Sequence, residues 1–543
     1  SSDLHAQLAN VHTPQLRSHD RFGNRIDQVE FHPSYHVLMG AAMQACLHGS
    51  PWIDFFDAKP GTSTAHQRRA AAFLMFTELE SSTLCPISMT YAVMPALRSN
   101  AAIYQDWAPG LSSPHYDPAL KLFSQKNGLT MGMGMTEKQG GSDVRANTTR
   151  AEPDGEDAWG RRYAITGHKW FFSAPMCDAF LVLAQTASGL SCFFLPRWLP
   201  DGTVNALRVQ RLKHKLGNHA NASSEVEFHG ATAWLVGDEG RGIPQILAMG
   251  AVTRLDCALG TAALMRQALS IALHHTSQRL AFGKRLADQP MMQNVLADLA
   301  LESEAATALA LRLARAVDAT ENGTDASGHE KLISRVLTPI AKFWICKRGA
   351  AFAQEAMECL GGNGYVEEQG EGVMARIYRE MPLNSIWEGA GNIMALDLLR
   401  ALASPDSPSP LARRIAFSAG LSAGTRAQLE QAGTLQCLGG ARRAFASMAE
   451  IQFAAGAKTV MPLHSTAASY SSWPAAKAGI AALALEPLKA SVTSMSGCSA
   501  RNLTSAARTP PKNKYKITQT KTEASIKALI TVSAARVTNS PRL

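Results

Sequence analysis

The chain has 543 residues, 46% hydrophobic and 18% charged, too many for one hydrophobic core and suited to a globular protein of roughly three or four domains. No window of about 18 apolar residues is free of charge, and the opening SSDLHAQLANVH lacks the basic-then-apolar layout of a signal peptide, so a soluble, cytoplasmic chain is expected. The net charge of +9 is unevenly spread: residues 401–543 hold 17 Lys+Arg against 5 Asp+Glu, or +12, which leaves −3 for the rest and excludes a generally basic, polyanion-binding core.

In chain order, residues 1–128 read mainly as helices; in AHQRRAAAFLMFTELE, Ala72, Leu74, Met75 and Leu79 approximate a one-sided apolar face. From 129 to 244, alternating runs such as RYAITGHKWFF, AFLVLAQTA, SCFFLP, SEVEFHG and TAWLVG sit between turn signals such as PDGED and LPDGT, the texture of a compact β domain. From 245 to 402 the pattern returns to long helices, among them MMQNVLADLALESEAATALALRLARAV, whose 3.6-residue apolar period is that of helix-bundle members. The expected class is therefore α+β, in all-α, β, all-α order. Residues 403–543, opened by the linker-like SPDSPSP and dominated by Ala, Ser and Thr, form an unassigned basic tail. Nine cysteines are scattered singly, with no C-x-x-C pair and no Cys/His cluster at zinc spacing, so neither a disulfide framework nor a metal site is expected.

Five motifs carry candidate chemistry. In GMGMTEKQGGSDV (132–144) the glycines let backbone approach a planar or anionic ligand, and Thr136 and Ser142 offer hydroxyls; by itself it reads equally as a Gly-rich turn. In GHKWFFSAP (167–175), Trp170, Phe171 and Phe172 supply flat faces for stacking on an isoalloxazine, with Ser173 as a polar handle; the plain alternative is a buried strand. In QRLAFGKRLADQ, Arg279 is a candidate bidentate partner for a pyrophosphate and Gln289 adds amide groups, unless Arg279 is a surface charge. LGGNGY (360–365) is the fourth. In NSIWEGAGNIM (384–394) a single carboxylate, Glu388, stands between Trp387 and Gly389 in a stretch poor in charge, a setting expected to raise its pKa and suit it to general-base work. The alternative is a glutamate favoured by a helix N-terminus.

In this order the motifs T-E-x-x-x-G-S-D, R-x-x-F-G-x-x-L-x-x-Q, L-G-G-N-G-Y and I-W-E-G-x-x-x-I resemble the acyl-CoA dehydrogenase family over nearly all of residues 1–402. TTRAE, GHKWFFS, HKLGNHANASSEVEF, AKFWICKRG and YREMPLNSIWEGAGNIM resemble its AidB-type branch of alkylation-response flavoproteins. The resemblance implies an N-terminal helical domain, a middle β-barrel, a C-terminal four-helix bundle, one FAD per subunit and a homotetramer. It makes Met133 to Ser142, Phe171 to Ser173 and Ile386 to Leu396 flavin-contacting segments, with Met133, Gly134, Met135, Thr136, Gly141, Ser142, Phe171, Phe172, Ser173, Ile386, Trp387, Gly389 and Asn392 as cofactor residues. Thr136, Ser142 and Ser173 also match substrate-side contacts, and Gly361 and Gly362 match cofactor contacts, although Glu358 stands before the double glycine where much of the family has Gln. Counterparts of Arg279, Phe282 and Gln289 reach the FAD of a neighbouring subunit.

Glu388 matches the family's catalytic base, which removes the α-proton of an acyl thioester while the β-hydride passes to the flavin. The implied activity is α,β-dehydrogenation of an acyl-CoA, weak in this branch. The alternative implied by the branch is a flavoprotein that binds double-stranded DNA, with Arg400 matching a basic residue of that contact. The branch's helical C-terminal DNA-binding domain is not recognisable in residues 403–543.

Overall fold

A computed structural model describes residues 2–57, 64–368 and 372–403. The basic tail, apart from its first residue, lies outside the described residues. The N-terminal region contains helices α1 (Ser2–Val11), α2 (Pro33–Gln44), α3 (Ser50–Asp57), α4 (Ala65–Leu79), α5 (Leu84–Leu97) and α6 (Ala101–Leu111). It also contains a hairpin, β1 (Gln15–His19) against β2 (Arg25–Glu30), where helices were expected. Its short polar strands carry almost no apolar alternation, and its turn is closed locally: Asp20 Oδ1 accepts from the Phe22 and Asn24 amides at 2.8 and 2.9 Å.

Helix α4 buries a different face from the one its apolar residues suggest. Met75 is exposed, whereas His66, Arg69, Ala70, Phe73 and Thr77 are buried together with Leu74. A buried arginine is tolerated here because its charge is matched. The Arg69 guanidinium meets the Asp256 carboxylate through two hydrogen bonds of 2.6 and 2.8 Å, lies 3.4 Å over the Tyr91 ring, and donates through Nε to the Leu47 carbonyl. Tyr91 belongs to α5, nearly all of whose side chains are buried, so α4 and α5 are joined through a polar clamp as well as by apolar packing.

The middle region is a β domain of seven strands: β3 (Met131–Gly134), β4 (Arg150–Asp157), β5 (Gly160–Ser173), β6 (Ala179–Thr186), β7 (Gly189–Pro196), β8 (Leu207–Leu212) and β9 (Ser223–Leu235). Pairings β6–β4, β4–β5, β5–β9, β9–β7 and β7–β6 close a ring, with β3 joined to β6 and β8 to β9. Closure leaves the ring strands without free edges and gives the barrel the resemblance implied. Two details differ from the sequence expectation. PDGED lies within β4 at a register irregularity rather than in a turn, and SEVEFHG and the first four residues of TAWLVG form one continuous strand, β9.

Beyond the barrel the described residues are mostly helical, with α7 (Gly242–Gln278), α8 (Pro290–Glu321), α9 (His329–Glu358), α10 (Gly362–Tyr365), α11 (Val373–Glu380) and α12 (Gly391–Ala403), and a two-residue ladder of β10 (Leu280–Ala281) with β11 (Lys284–Arg285). Helix α7 is long and apolar enough to cross a membrane, yet 78% of its most apolar window is buried within the protein, as befits a core helix. Two compact units divide the described residues: one holds those up to Leu264, Ala310–Ala350 and those from Glu367 on, and the other holds Met265–Leu309 and Ala351–Val366.

Replacing Arg69 by Met strands the Asp256 carboxylate in the core and is expected to cost on the order of 3–5 kcal/mol, read as a lower urea midpoint. Adding Asp256→Leu should restore most of that loss. A midpoint that the single change leaves in place would rule out the clamp as a stabilising element.

Candidate active site

The candidate site lies in the first unit and begins with a bulge. Along the β5–β9 ladder Lys169 pairs with Val226 but Phe172 pairs with Ser224, so β5 carries one extra residue across Trp170 and Phe171. The bulge changes the side-chain alternation and frees backbone groups. The Trp170 amide turns to the Thr136 carbonyl at 2.8 Å, which ties the glycine-rich segment to β5. Phe171 is turned outward and is 50% exposed, while Phe172 is fully buried against Phe180 at 4.2 Å between ring centres. Trp170 is covered by the Lys213 ammonium, 3.5 Å from its ring centre. Of the three aromatic faces expected to stack on a flavin, the exposed one is Phe171; Phe172 serves the barrel core.

The glycine-rich segment needs a similar division. Its first half is strand β3, and a Cβ at Gly132 would meet Phe180 at 2.5 Å while one at Gly134 would meet Phe172 at 2.6 Å. Aromatic packing by itself requires both glycines. In the second half Gly140 has φ +119, and a Cβ at Gly141 would meet the Thr136 hydroxyl at 2.5 Å, so the turn brings Thr136 close to Gly141 and leaves Ser142 exposed. Met133 and Met135 are partly buried against the same apolar cluster as Trp387.

Beneath the turn, Lys169 and Glu137 form a buried ion pair at 2.8 Å. Glu137 also accepts from the Thr148 and Thr149 amides, at 2.6 and 3.2 Å, and Lys169 donates to the Leu183 carbonyl. Burial pushes the carboxyl up, but the Lys169 charge and these hydrogen bonds outweigh it and hold Glu137 down at about 2. Burial pulls Lys169 down to about 8, against the opposing pull of Glu137.

Glu388 lies three residues before α12 and adopts φ 57, the left-handed region that costs a non-glycine residue of order 1–3 kcal/mol. Three side chains from α7 and α9 hold it there. Thr253 Oγ1 donates to Glu388 Oε2 at 2.6 Å, Arg254 Nε donates to the Glu388 carbonyl at 3.0 Å, and Lys342 Nζ donates to the carbonyls of Trp387, at 2.7 Å, and Gly389. Arg254 is itself paired with Asp397 at 2.8 Å, and Asp397 also receives Arg335 at 2.9 Å. Trp387 Nε1 donates to Asn384 Oδ1 at 2.9 Å, and Asn384 in turn donates to Thr261. Glu388 is half-buried rather than enclosed in an apolar pocket, and its immediate partners are polar or cationic. None of Thr253, Arg254 and Lys342 was singled out from the sequence, because each sits in an ordinary helical pattern and reaches Glu388 only through the fold.

The barrel end and Glu388 come together around Cys85, in the first turn of α5. Burial raises its thiol to about 12; Lys215 opposes this, Glu388 adds to it, and the neighbouring Asn221 and Ser173 side chains pull it down. Thus Ser173, Cys85, Asn221, Lys215 and Glu388 share one neighbourhood. Ile386 and Asn392 are exposed on either side of Glu388, and Arg400 is exposed in the last turn of α12. In the second unit, Arg279 is exposed, Phe282 is almost wholly exposed at φ 52, and Gln289 Nε2 donates to the Ala281 carbonyl at 3.1 Å. Gly361, at φ 61, and Gly362 open α10, with empty space where a Cβ would be.

Sequence-family models agree with this layout. The AidB N-terminal domain matches residues 2–118, the acyl-CoA dehydrogenase middle domain residues 132–231, and the acyl-CoA dehydrogenase C-terminal domain residues 240–403. Over 399 residues the chain is 54% identical to AidB of Escherichia coli (strain K12), spanning 73% of this chain and 70% of that protein. This chain belongs to the acyl-CoA dehydrogenase family. Within the family it is AidB-like. Among solved structures, Caenorhabditis elegans ACDH-11 in complex with C11-CoA is 25% identical, with a TM-score of 0.72 over 84% of this chain and 80% of that one. The apo form of Bd2924 is 28% identical, with a TM-score of 0.73 over 82% and 88% of the two chains. Members of the family are FAD flavoproteins, and this AidB-like chain is an FAD-dependent oxidoreductase acting on CH–CH donors. Its residues fit that group: the half-exposed Phe171 offers a flat face, the Gly140–Gly141 turn offers open backbone beside Thr136 and Ser142, and Ile386 adds an exposed apolar edge.

Two outcomes follow from this geometry. A carboxyl held below its unfolded value contributes stability above that value and loses it as pH falls through the folded one. Wild type should therefore exceed Glu137→Gln in stability at neutral pH, with the gap closing from about pH 4.5 toward about 2, as followed by urea midpoints across pH; a gap that is constant with pH would contradict the pairing. Thr253→Val removes a hydrogen bond to a charged group, worth about 1.5 kcal/mol, and should slow anaerobic flavin reduction roughly tenfold with little change in ligand binding. A changed Kd at an unchanged rate would show that Thr253 serves binding rather than the carboxylate.

Proposed function

We propose that Glu388 is the base that removes the α-proton of a bound acyl-CoA. The observation that carries the reading is the carboxylate itself, oriented at Oε2 by the Thr253 hydroxyl at 2.6 Å, on a backbone fixed by Arg254 and Lys342 beside the Phe171–Ser173 segment. Bound FAD supplies the acceptor for the two electrons that leave with the β-hydrogen. The chain's own part is to hold the carboxylate within reach of the α-carbon, to keep its second oxygen available for the proton, and to offer the Glu388 amide to the thioester carbonyl as charge develops there. Thr136, Ser142 and Ser173 line the substrate side, and Phe171 together with Trp387 limits the room for the acyl chain. In this reading turnover is weak, and the outward-turned Phe171 restricts the substrates.

The assembly that goes with this reading is a homotetramer in which Arg279, Phe282 and Gln289 reach the cofactor of a neighbouring subunit. The near-complete exposure of Phe282 supports it. Duplex-DNA binding is a second reading, favoured by the exposed Arg400 and by the charge of +12 from residue 401 onward. It predicts binding whose log K falls as salt rises, and salt-independent binding would end it.

Glu388→Gln keeps the size of the side chain and removes the base. Anaerobic addition of isovaleryl-CoA to the flavin-loaded wild type is expected to bleach the visible flavin band, and the variant should retain the band and lose the bleaching by a factor on the order of a hundred or more. A variant that bleaches at the wild-type rate would remove Glu388 from the chemistry.

A further inference from the structure

Asn221 lies in the connection between β8 and β9, two residues before Ser223, and is only 2% exposed. Neither its Nδ2 nor its Oδ1 completes a hydrogen bond. The Cys85 thiol is nearby but is a weak partner, with one poor donor and one poor acceptor. A buried carboxamide with both ends unmet loses its hydration without compensation, and native folds rarely leave such a group without a use.

The fold fixes this residue rather than leaving it free to turn outward. The Lys215 ammonium donates to the Asn221 backbone carbonyl, and the next residue, Ala222, accepts from the Ala174 amide at 2.8 Å. Ser223 then pairs with Ser173, its hydroxyl 3.3 Å from the Ser173 hydroxyl. Asn218, at φ 56, anchors the start of the connection by donating its amide to the buried Glu380 carboxylate at 2.7 Å. The segment is thus held at both ends, with the carboxamide between them, beside Cys85 and two residues before the Ser223–Ser173 pair.

We propose that Asn221, seated by Lys215, reads an oxygen atom on the γ or δ carbon of the acyl chain, so that the preferred substrates are oxygenated acyl thioesters rather than plain hydrocarbon ones. This rests on the reading of Glu388 as the α-proton base. In that reading a chain that runs from an α-carbon at Glu388 past Ser173 brings its next few carbons to the segment that Ser223 joins to Ser173. A methylene there would bury the carboxamide against hydrocarbon, whereas a ketone oxygen accepts from Nδ2 and a hydroxyl uses either end. Lys215 favours an oxygen acceptor. Burial lowers its pKa only to about 8, so it remains mostly protonated at neutral pH.

The test is calorimetric titration of the flavin-loaded protein with trans-2-hexenoyl-CoA and with its 5-oxo counterpart, neither of which has a saturated α,β bond left to oxidise. The 5-oxo ligand is expected to bind roughly tenfold more tightly, one hydrogen bond to a buried group. In Asn221→Leu the ratio should collapse to within about twofold of unity. Asn221→Ser, which shortens the side chain but stays polar, should lose most of the ratio too and covers the case in which the leucine variant does not fold. A wild-type ratio within twofold of unity, or a ratio that survives both substitutions, overturns the proposal. Flavin bleaching by hexanoyl-CoA is measured alongside. Discrimination in binding without bleaching would retain the subsite and remove the dehydrogenase reading, and bleaching without discrimination would do the reverse.

Discussion

Two cations grip the backbone around one glutamate, and the site depends on that grip. Lys342, 1% exposed, donates to the carbonyls on both sides of Glu388, and Arg254 donates to the carbonyl of Glu388 itself. A buried ammonium needs oxygen partners to offset its lost hydration, and backbone carbonyls supply them without neutralising the nearby carboxylate. The arrangement therefore does two things at once. It satisfies a buried charge, and it stabilises a left-handed glutamate that would otherwise relax. Among the described residues, the carboxylate receives one hydrogen bond, from Thr253.

The same logic recurs at the barrel end. Glu137 and Lys169 satisfy each other beneath the glycine-rich turn, and the bulge in β5 hands the Trp170 amide to the Thr136 carbonyl. Segments far apart in sequence are thus fixed by polar bonds placed under them rather than by loop stiffness. That suits a surface meant to hold a large planar cofactor, since the contacting loops lose little freedom when it binds.

Much of the fold was legible in the sequence because periodicity carries it: the helical regions, the barrel strands and their order follow from apolar patterns of 3.6 and 2. Motif order singled out Glu388, Thr136 and the Phe171–Ser173 segment as candidates. What stayed hidden were effects decided by partners elsewhere in the chain. The buried face of α4 includes His66 and Arg69 because Asp256 and Tyr91 wait opposite them, which no local pattern reveals. Gly132 and Gly134 look like ligand glycines, but the rings of Phe180 and Phe172 claim the space where their Cβ atoms would go. The split between Phe171 and Phe172 depends on one extra residue in a ladder, and a bulge leaves no mark in composition. Asn221 reads as an ordinary loop asparagine until its burial is known.

Helix α7 presents Thr253 and Arg254 to the glutamate and, less than a turn later, Asp256 to the Arg69 clamp of the N-terminal helices. These three positions share one rigid rod, so its azimuth cannot suit one set of partners and miss the other. A residue added to or deleted from α7 upstream of Thr253 would turn the whole group by about 100° relative to the preceding residues. Sequence drift in the helices around Arg69 is thereby constrained by the geometry that holds Glu388, and an N-terminal domain grafted from a distant relative would have to bring a matching arginine with it.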